Sequence, residues 1–268
     1  MTQVADLVIT SLDVITAFEM DGTPAFVLDE LQDATISNTQ DKEDITGKAG
    51  RKIATIKRNK ACTISGNNGM VSAGLLAAQT GSDITADDDL PVQWTDYLTV
   101  NSNEATLSYP AVGTAGAEIG ALYVRTTDGV ASTKLVQDAS AASGKFSYTA
   151  ATRKLTFSGL TDGTEIVVFY TRNVTGATLG NNSETFSKTL RVYIDGTAED
   201  KCGNVYHIQF FIPKGDFNGE FDFSLGDTQS VHSFEIESLV GGSCGTSAGN
   251  VLWTYTVFGV TENEPSGD

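Results

Sequence analysis

The chain has 268 residues, 40% of them hydrophobic, so it can fold into one large globular domain or two small ones without a disulfide or metal staple. Its 34 acidic residues outnumber 17 basic ones, and the formal net charge of −17 argues against a reader of nucleic acid, because the field around the protein repels phosphates. Three cysteines (Cys62, Cys202 and Cys244), no signal-like basic start and no apolar run near 18 residues predict reduced thiols in a cytoplasmic assembly compartment, with neither secretion nor membrane insertion.

Period-2 alternation and β-branched or aromatic runs predict strands over residues 7–20, 25–31, 52–65, 185–194, 205–212, 220–225, 230–239 and 251–260. Breakers such as Asp21-Gly22, Asp195-Gly196, Pro213-Lys214-Gly215, Gly226-Asp227 and Gly241-Gly242 mark turns between them, and the fold class is all-β. One segment departs from this rhythm. Residues 70–80 place Val71, Leu75 and Ala78 on one helical face, with Asn68 as the N-cap and Gly81 just past the end, which predicts a lone helix packed on a sheet.

Charge divides the chain further. Residues 98–173 hold six bases and six acids, so the rest carries the whole net charge; with short strands and turns of their own, they read as a small Ig-like β module inserted into a domain formed by residues 1–97 and 174–268. Inside that host domain Lys42, Lys48, Arg51, Lys52, Lys57, Arg58 and Lys60 form a basic block, whereas every charged side chain after Lys214 is a carboxylate. A loop over residues 38–51 is expected to project from the sandwich, its Lys42, Lys48 and Arg51, with Lys52 just past its end, meeting acidic surface on another copy.

Catalytic and metal chemistry find little support. Gly245-Thr246-Ser247-Ala248-Gly249 matches the nucleophile-elbow spacing but sits in a Gly-rich stretch with no helix after it. His207 and His232 lie in strand patterns, where a structural hydrogen bond is the ordinary role. No Cys or His spacing suits zinc, the acidic stretches at Asp87-Asp88-Asp89 and Asp195 to Asp200 read as surface turns without EF-hand spacing, and no phosphate-binding loop is present. Neither a metal nor a cofactor is expected. What stands out is two-sided strands: Phe217, Gly219, Phe221 and Phe223 alternate with Glu220 and Asp222, and Phe234 and Ile236 with Glu235 and Glu237. The apolar faces make a core, and the acidic faces line something wet.

The run from Phe211 to Leu239, FIPKGDFNGEFDFSLGDTQSVHSFEIESL, resembles the C-terminal signature of major tail (tail tube) proteins of tailed bacteriophages. Residues 28–36, 45–56 and 74–81 are similar to the same family, in the same order. The resemblance implies a β-sandwich/barrel with one short flanking helix, hexameric rings stacked into a tube that conducts DNA without binding it specifically, no catalytic residues, and a place in the virion after assembly in the host cytoplasm. It also implies tape measure, tail terminator and tail initiator proteins as partners. Glu220, Asp222, Glu235 and Glu237 are then the expected lumen-lining residues. Two rival readings are a carbohydrate-binding or adhesin module, with aromatics such as Tyr123, Tyr148 and Tyr170 of the inserted segment as its site, and a serine hydrolase using Ser247.

Overall fold

The computed structural model describes residues 6–126, 129, 131–222, 231–240 and 250–259. In chain order its elements are β1 (Leu7–Phe18), β2 (Pro24–Leu28), β3 (Leu31–Thr46), β4 (Lys52–Asn68), α1 (Ala73–Thr80), β5 (Ile84–Thr99), β6 (Glu104–Thr106), β7 (Ile119–Arg125) and β8 (Ala131–Gln137). They continue with β9 (Lys145–Thr149), β10 (Lys154–Phe157), β11 (Glu165–Leu179), β12 (Thr189–Asp200), β13 (Val205–Phe217), β14 (His232–Ser238) and β15 (Thr254–Gly259). The protein is all-β with a single α-helix among the described residues. It divides into two units, Met1–Ile84 with Leu179–Asp268, and Thr85–Thr178.

The first unit is one sheet in the order β2-β1-β12-β13-β14-β4-β3, with β15 also paired to β13. Alternation gives each central strand one buried face: Ile15 and Ala17 on β1, Val192 and Ile194 on β12, Ile64 on β4 and Ile236 on β14 are all fully buried. The helix closes this core with Leu75 and Ala78. Burying a Leu side chain contributes about 1.5–3 kcal/mol, which is what holds an eight-residue helix too short to persist in water.

The helix is shorter than expected. Ser72 caps it, its Oγ accepting the Leu75 N–H at 3.3 Å, and Gly81 ends it at φ +67° as predicted. Asn68 is not the cap: it closes β4, pairs with both His232 and Leu31, and donates its side-chain amide to the Met70 carbonyl at 2.7 Å. Ladder pairing on both sides of β4 overrides the local capping preference, and Val71, left outside the helix, is half exposed.

Other turn signals are absorbed into long strands. Asp195-Gly196 and Asp195 to Asp200 lie within β12, Pro213-Lys214-Gly215 within β13, and Asp87-Asp88-Asp89 within β5. Register shifts lie opposite two of these signals: Leu12/Val14 faces Gly196 and Asp195, and Leu190/Val192 faces Gly215 and Ile212, so each local irregularity is taken up inside the ladder. A strand over residues 220–225 is absent as far as Asp222, since β13 ends at Phe217. Its remaining residues, like Gly226-Asp227 and Gly241-Gly242, lie outside the described ones.

The second unit is a sheet in the order β5-β11-β7-β8-β9-β10-β6 around Leu122, Phe146, Leu155, Ile166, Val168 and Tyr170. It is wider than the segment charge alone delimits. The neutral boundary at residue 98 cuts through β5, whose Asp87, Asp88, Asp89 and Asp96 bring the unit to ten acids against six bases. Its core holds one buried polar network. The Tyr170 hydroxyl donates to Asp96 Oδ2 at 2.9 Å and accepts the Tyr109 N–H at 3.2 Å, while Asp96 also accepts the Ser108 N–H and Trp94 Nε1. Burial pushes the Asp96 carboxyl up, but these donors outweigh it and hold the group below its ordinary value; burial and the Asp96 bond raise the Tyr170 phenol.

Candidate assembly surfaces

The sheet of the first unit has a second face, and its composition changes along it. Cross-strand partners share a face, so pairing defines three rows over β13, β14, β4 and β3. Asp216, Glu237, Thr63 and Ser37 form one; Glu235, Ser65 and Thr35 the next; Ser233, Asn67 and Asp33 the third. None of these residues is basic or apolar. The opposite face of the same strands carries Phe217, Ile236, Ile64 and Phe234, which are buried.

Of the four carboxylates expected to share a wet surface, Glu235 and Glu237 are exposed on these rows. Glu220 and Asp222 reach the same trough from the irregular segment after β13: the Asn218 N–H donates to the Glu235 carbonyl at 2.8 Å, and the Asp222 N–H to Ser233 Oγ at 3.5 Å. The trough has a volume of about 930 Å³ and is lined by all of these except Glu237, which lies beside it with Asp216 in an adjoining hollow. Asp33 and Asp216 belong to this surface and escaped sequence reading, because only strand pairing shows which distant residues stand beside Glu235 and Glu237. Asn67 Nδ2 donates to both Asp33 oxygens at 3.1 and 3.2 Å.

The basic block lies elsewhere, and on a different kind of element from the one expected. Residues 38–46 are not loop. β3 and β4 stay paired from Leu31–Asn68 out to Thr46–Lys52, so the basic block decorates a two-stranded arm that turns at Lys48–Gly50. The alternating pairing of β3 with β4 satisfies a long run of backbone groups that a loop would have left to water. From residue 37 to 60 nearly every side chain is exposed on both faces, Ile53 at 70%.

The arm holds seven bases and three acids, against ten bases and 31 acids in the remainder. Two of its bases are already paired within it: Lys52 with Asp44 at 2.7 Å and Arg58 with Glu43 at 2.8 Å. Bonds from Lys52 and Thr55 hold the Asp44 carboxyl below its ordinary value. Lys42, Lys48 and Arg51 have no ion-pair partner among the described residues, nor do Lys57 and Lys60. Of the four expected contact bases, Lys52 is thus the one already committed within the arm.

The remaining chemical candidates are structural where they are described. His232 is fully buried; its Nδ1 accepts the Ser72 N–H at 3.3 Å and its Nε2 lies 2.7 Å from Gln79 Oε1, an arrangement that fits neutral imidazole with the proton on Nε2. Burial lowers its pKa. The Gln79 amide in turn donates to the Ser233 carbonyl at 2.9 Å, tying α1 to β14. The residues from Gly245 to Gly249 lie outside the described ones. No cluster of His, Cys, Asp or Glu with metal-holding geometry occurs among the described residues, and no described helix is long and apolar enough to cross a membrane. Tyr170 is buried and Tyr148 spends its hydroxyl accepting the Ala111 N–H, so two of the three aromatic rings considered for sugar binding serve the core.

The sequence model described as the YomU/Tube protein family matches residues 7–252, nearly the whole chain. No curated protein matches it.

Proposed function

The chain belongs to the YomU/Tube protein family, a family of phage tail tube proteins, and is therefore a structural component of the virion; from that premise we propose that it assembles as stacked hexameric rings whose bore conducts DNA. The observation that carries this reading is the polar face of β3, β4, β14 and β13. Its rows hold Asp33, Asp216, Glu235 and Glu237 and no base, while the reverse face is the core. A wall of this kind repels phosphates and keeps a water layer between protein and DNA, so a duplex slides without being held.

Rings also answer a liability of the fold. β3 is an edge strand of 16 residues, a template for uncontrolled pairing unless another chain covers it. Closure around a ring covers the edge near the sheet, and the basic arm reaches the next ring, where Lys42, Lys48 and Arg51 meet carboxylates. Tape measure, tail terminator and tail initiator proteins are the proposed partners of such a tube, and its role is mechanical rather than catalytic. The test is negative-stain microscopy of the purified full-length chain, alone and with its tail initiator complex. Rings or tubes of uniform bore are expected, and a chain that stays monomeric in both conditions would refute the proposal.

A further inference from the structure

One side chain of the first unit stands in water for no internal reason. Phe186 is 82% exposed, more than any other large apolar residue among the described ones. It is not on a free tether. The Thr185 hydroxyl donates to the Thr80 carbonyl at 3.1 Å, and the Lys188 N–H donates to the Ala78 carbonyl at 2.7 Å. The Phe186 backbone itself lies directly on Gly81, so closely that a Cβ there would sit 1.8 Å from its carbonyl oxygen. The end of α1 thus holds a bare aromatic ring outward on a fixed support.

The same unit carries an open groove of about 470 Å³ lined by Thr16, Phe18, Arg191, Tyr193, Asp195 and Gln209. Tyr193 meets Phe18 edge-on at 5.6 Å and stacks on Phe211 at 4.6 Å, which gives the groove an aromatic wall. Gln209 Nε2 donates to Asp195 Oδ1 at 2.8 Å, so two of its polar groups already satisfy each other. An exposed aromatic ring and an open groove with an aromatic wall thus occur on one chain.

We propose that Phe186 of one copy seats in this groove against Phe18 and Tyr193 of the next. The inference rests on the tube reading and names a contact within it. Aromatic side chains are enriched at interface cores, and those seated in well-packed pockets are typical anchors. Because knob and groove are different patches, the contact is head-to-tail, the type that builds a ring when its rotation closes and an open filament when it does not. The chain's own Phe186 cannot fill its own groove, since it is exposed where it stands.

The experiment uses the full-length chain with Cys202, the exposed thiol among the described residues, and Cys244 both replaced by serine. Phe186→Cys and Thr16→Cys are made in separate molecules, mixed, assembled with the initiator complex and oxidised. Covalent dimers joining one variant to the other are expected, and no such species from either variant alone. Separately, Phe186→Ser should leave the melting temperature of the monomer unchanged and lower ring yield at least tenfold. Ring yield equal to wild type, or absence of the mixed dimer in assembled tubes, would overturn this contact and leave the tube reading standing. Failure of the unmodified chain to form rings with its initiator would overturn both.

Discussion

Lys42 and Lys57 stand directly opposite each other across β3 and β4, near the middle of an arm with water on both faces. Like charges in that position oppose pairing by about 0.2–1 kcal/mol, and a two-stranded ribbon with no backing is marginal already. The arm therefore reads as an element completed by an acidic partner. Lys57→Glu turns the repulsion into attraction. Amide exchange over residues 37–60 should slow in the free subunit, while tubes should become shorter and rarer at low salt. Long tubes from this variant would show that ring stacking does not use the arm's charge.

Glu235 and Glu237 lie on the exposed side of β14, with Phe234 and Ile236 beneath them. Replacing both by Lys should change monomer stability by no more than about 0.5 kcal/mol per site, the usual range for surface positions. Tubes should still form, but two added rings of positive charge in the bore would grip phosphates and slow DNA release from virions carrying the variant. DNA release at the wild-type rate would place these residues away from the bore.

His232 predicts a dependence on pH. Its neutral ring accepts the Ser72 N–H, and burial depresses its pKa. A group depressed in the folded state binds its proton more readily when unfolded, so its contribution is present above the ordinary imidazole value of about 6.5 and is lost as pH falls below it. The depressed carboxyls of Asp96 and Asp200 act in the same direction but only below the carboxylate range. Urea midpoints should therefore fall between pH 6.5 and 5 in the wild type. His232→Asn should be less stable at neutral pH and nearly flat over that interval; an equal slope in both proteins would assign the effect to other groups.

Where the sequence was legible, a single strand or helix end sufficed. Alternation of Phe234, Glu235, Ile236 and Glu237 gave both faces of β14, and Gly81 marked the helix stop. It failed where the partner strand decides. Residues 38–46 are polar enough to read as loop, yet pairing with β4 makes them strand; Asp195-Gly196 is a turn by composition, yet β1 and β13 on either side hold it in β12. Charge neutrality tracks composition, whereas the limits of the compact unit follow β5 and β11. Nothing in the sequence marks Phe186 or Tyr193, because exposure and stacking are properties of packing alone.

The Tyr170 hydroxyl predicts the cost of disturbing the second unit's buried network. Tyr170→Phe keeps the ring and removes the group that Asp96 Oδ2 and the Tyr109 N–H both use. Leaving buried partners unsatisfied costs about 1–3 kcal/mol. Calorimetry of the full chain should show the loss there, with assembly of rings unchanged if the first unit alone builds the tube.

Gly81 and Gly22 separate two costs that a glycine substitution usually mixes. Both have positive φ, +67° and +97°, so Ala at either is strained by about 1–2 kcal/mol. At Gly22 nothing lies within 4 Å of the added carbon, and Gly22→Ala should cost that strain alone. At Gly81 the carbon lands 1.8 Å from the Phe186 carbonyl oxygen, which is backbone and held by the flanking bonds of Thr185 and Lys188. Either the segment moves off the helix end or the helix end opens. Gly81→Ala should thus destabilise by about 3 kcal/mol or more, and any variant that folds should lose ring formation with it, since the support that presents Phe186 has shifted. Equal denaturation midpoints for the two variants would mean that the segment yields freely, and that Phe186 is not held as a rigid knob.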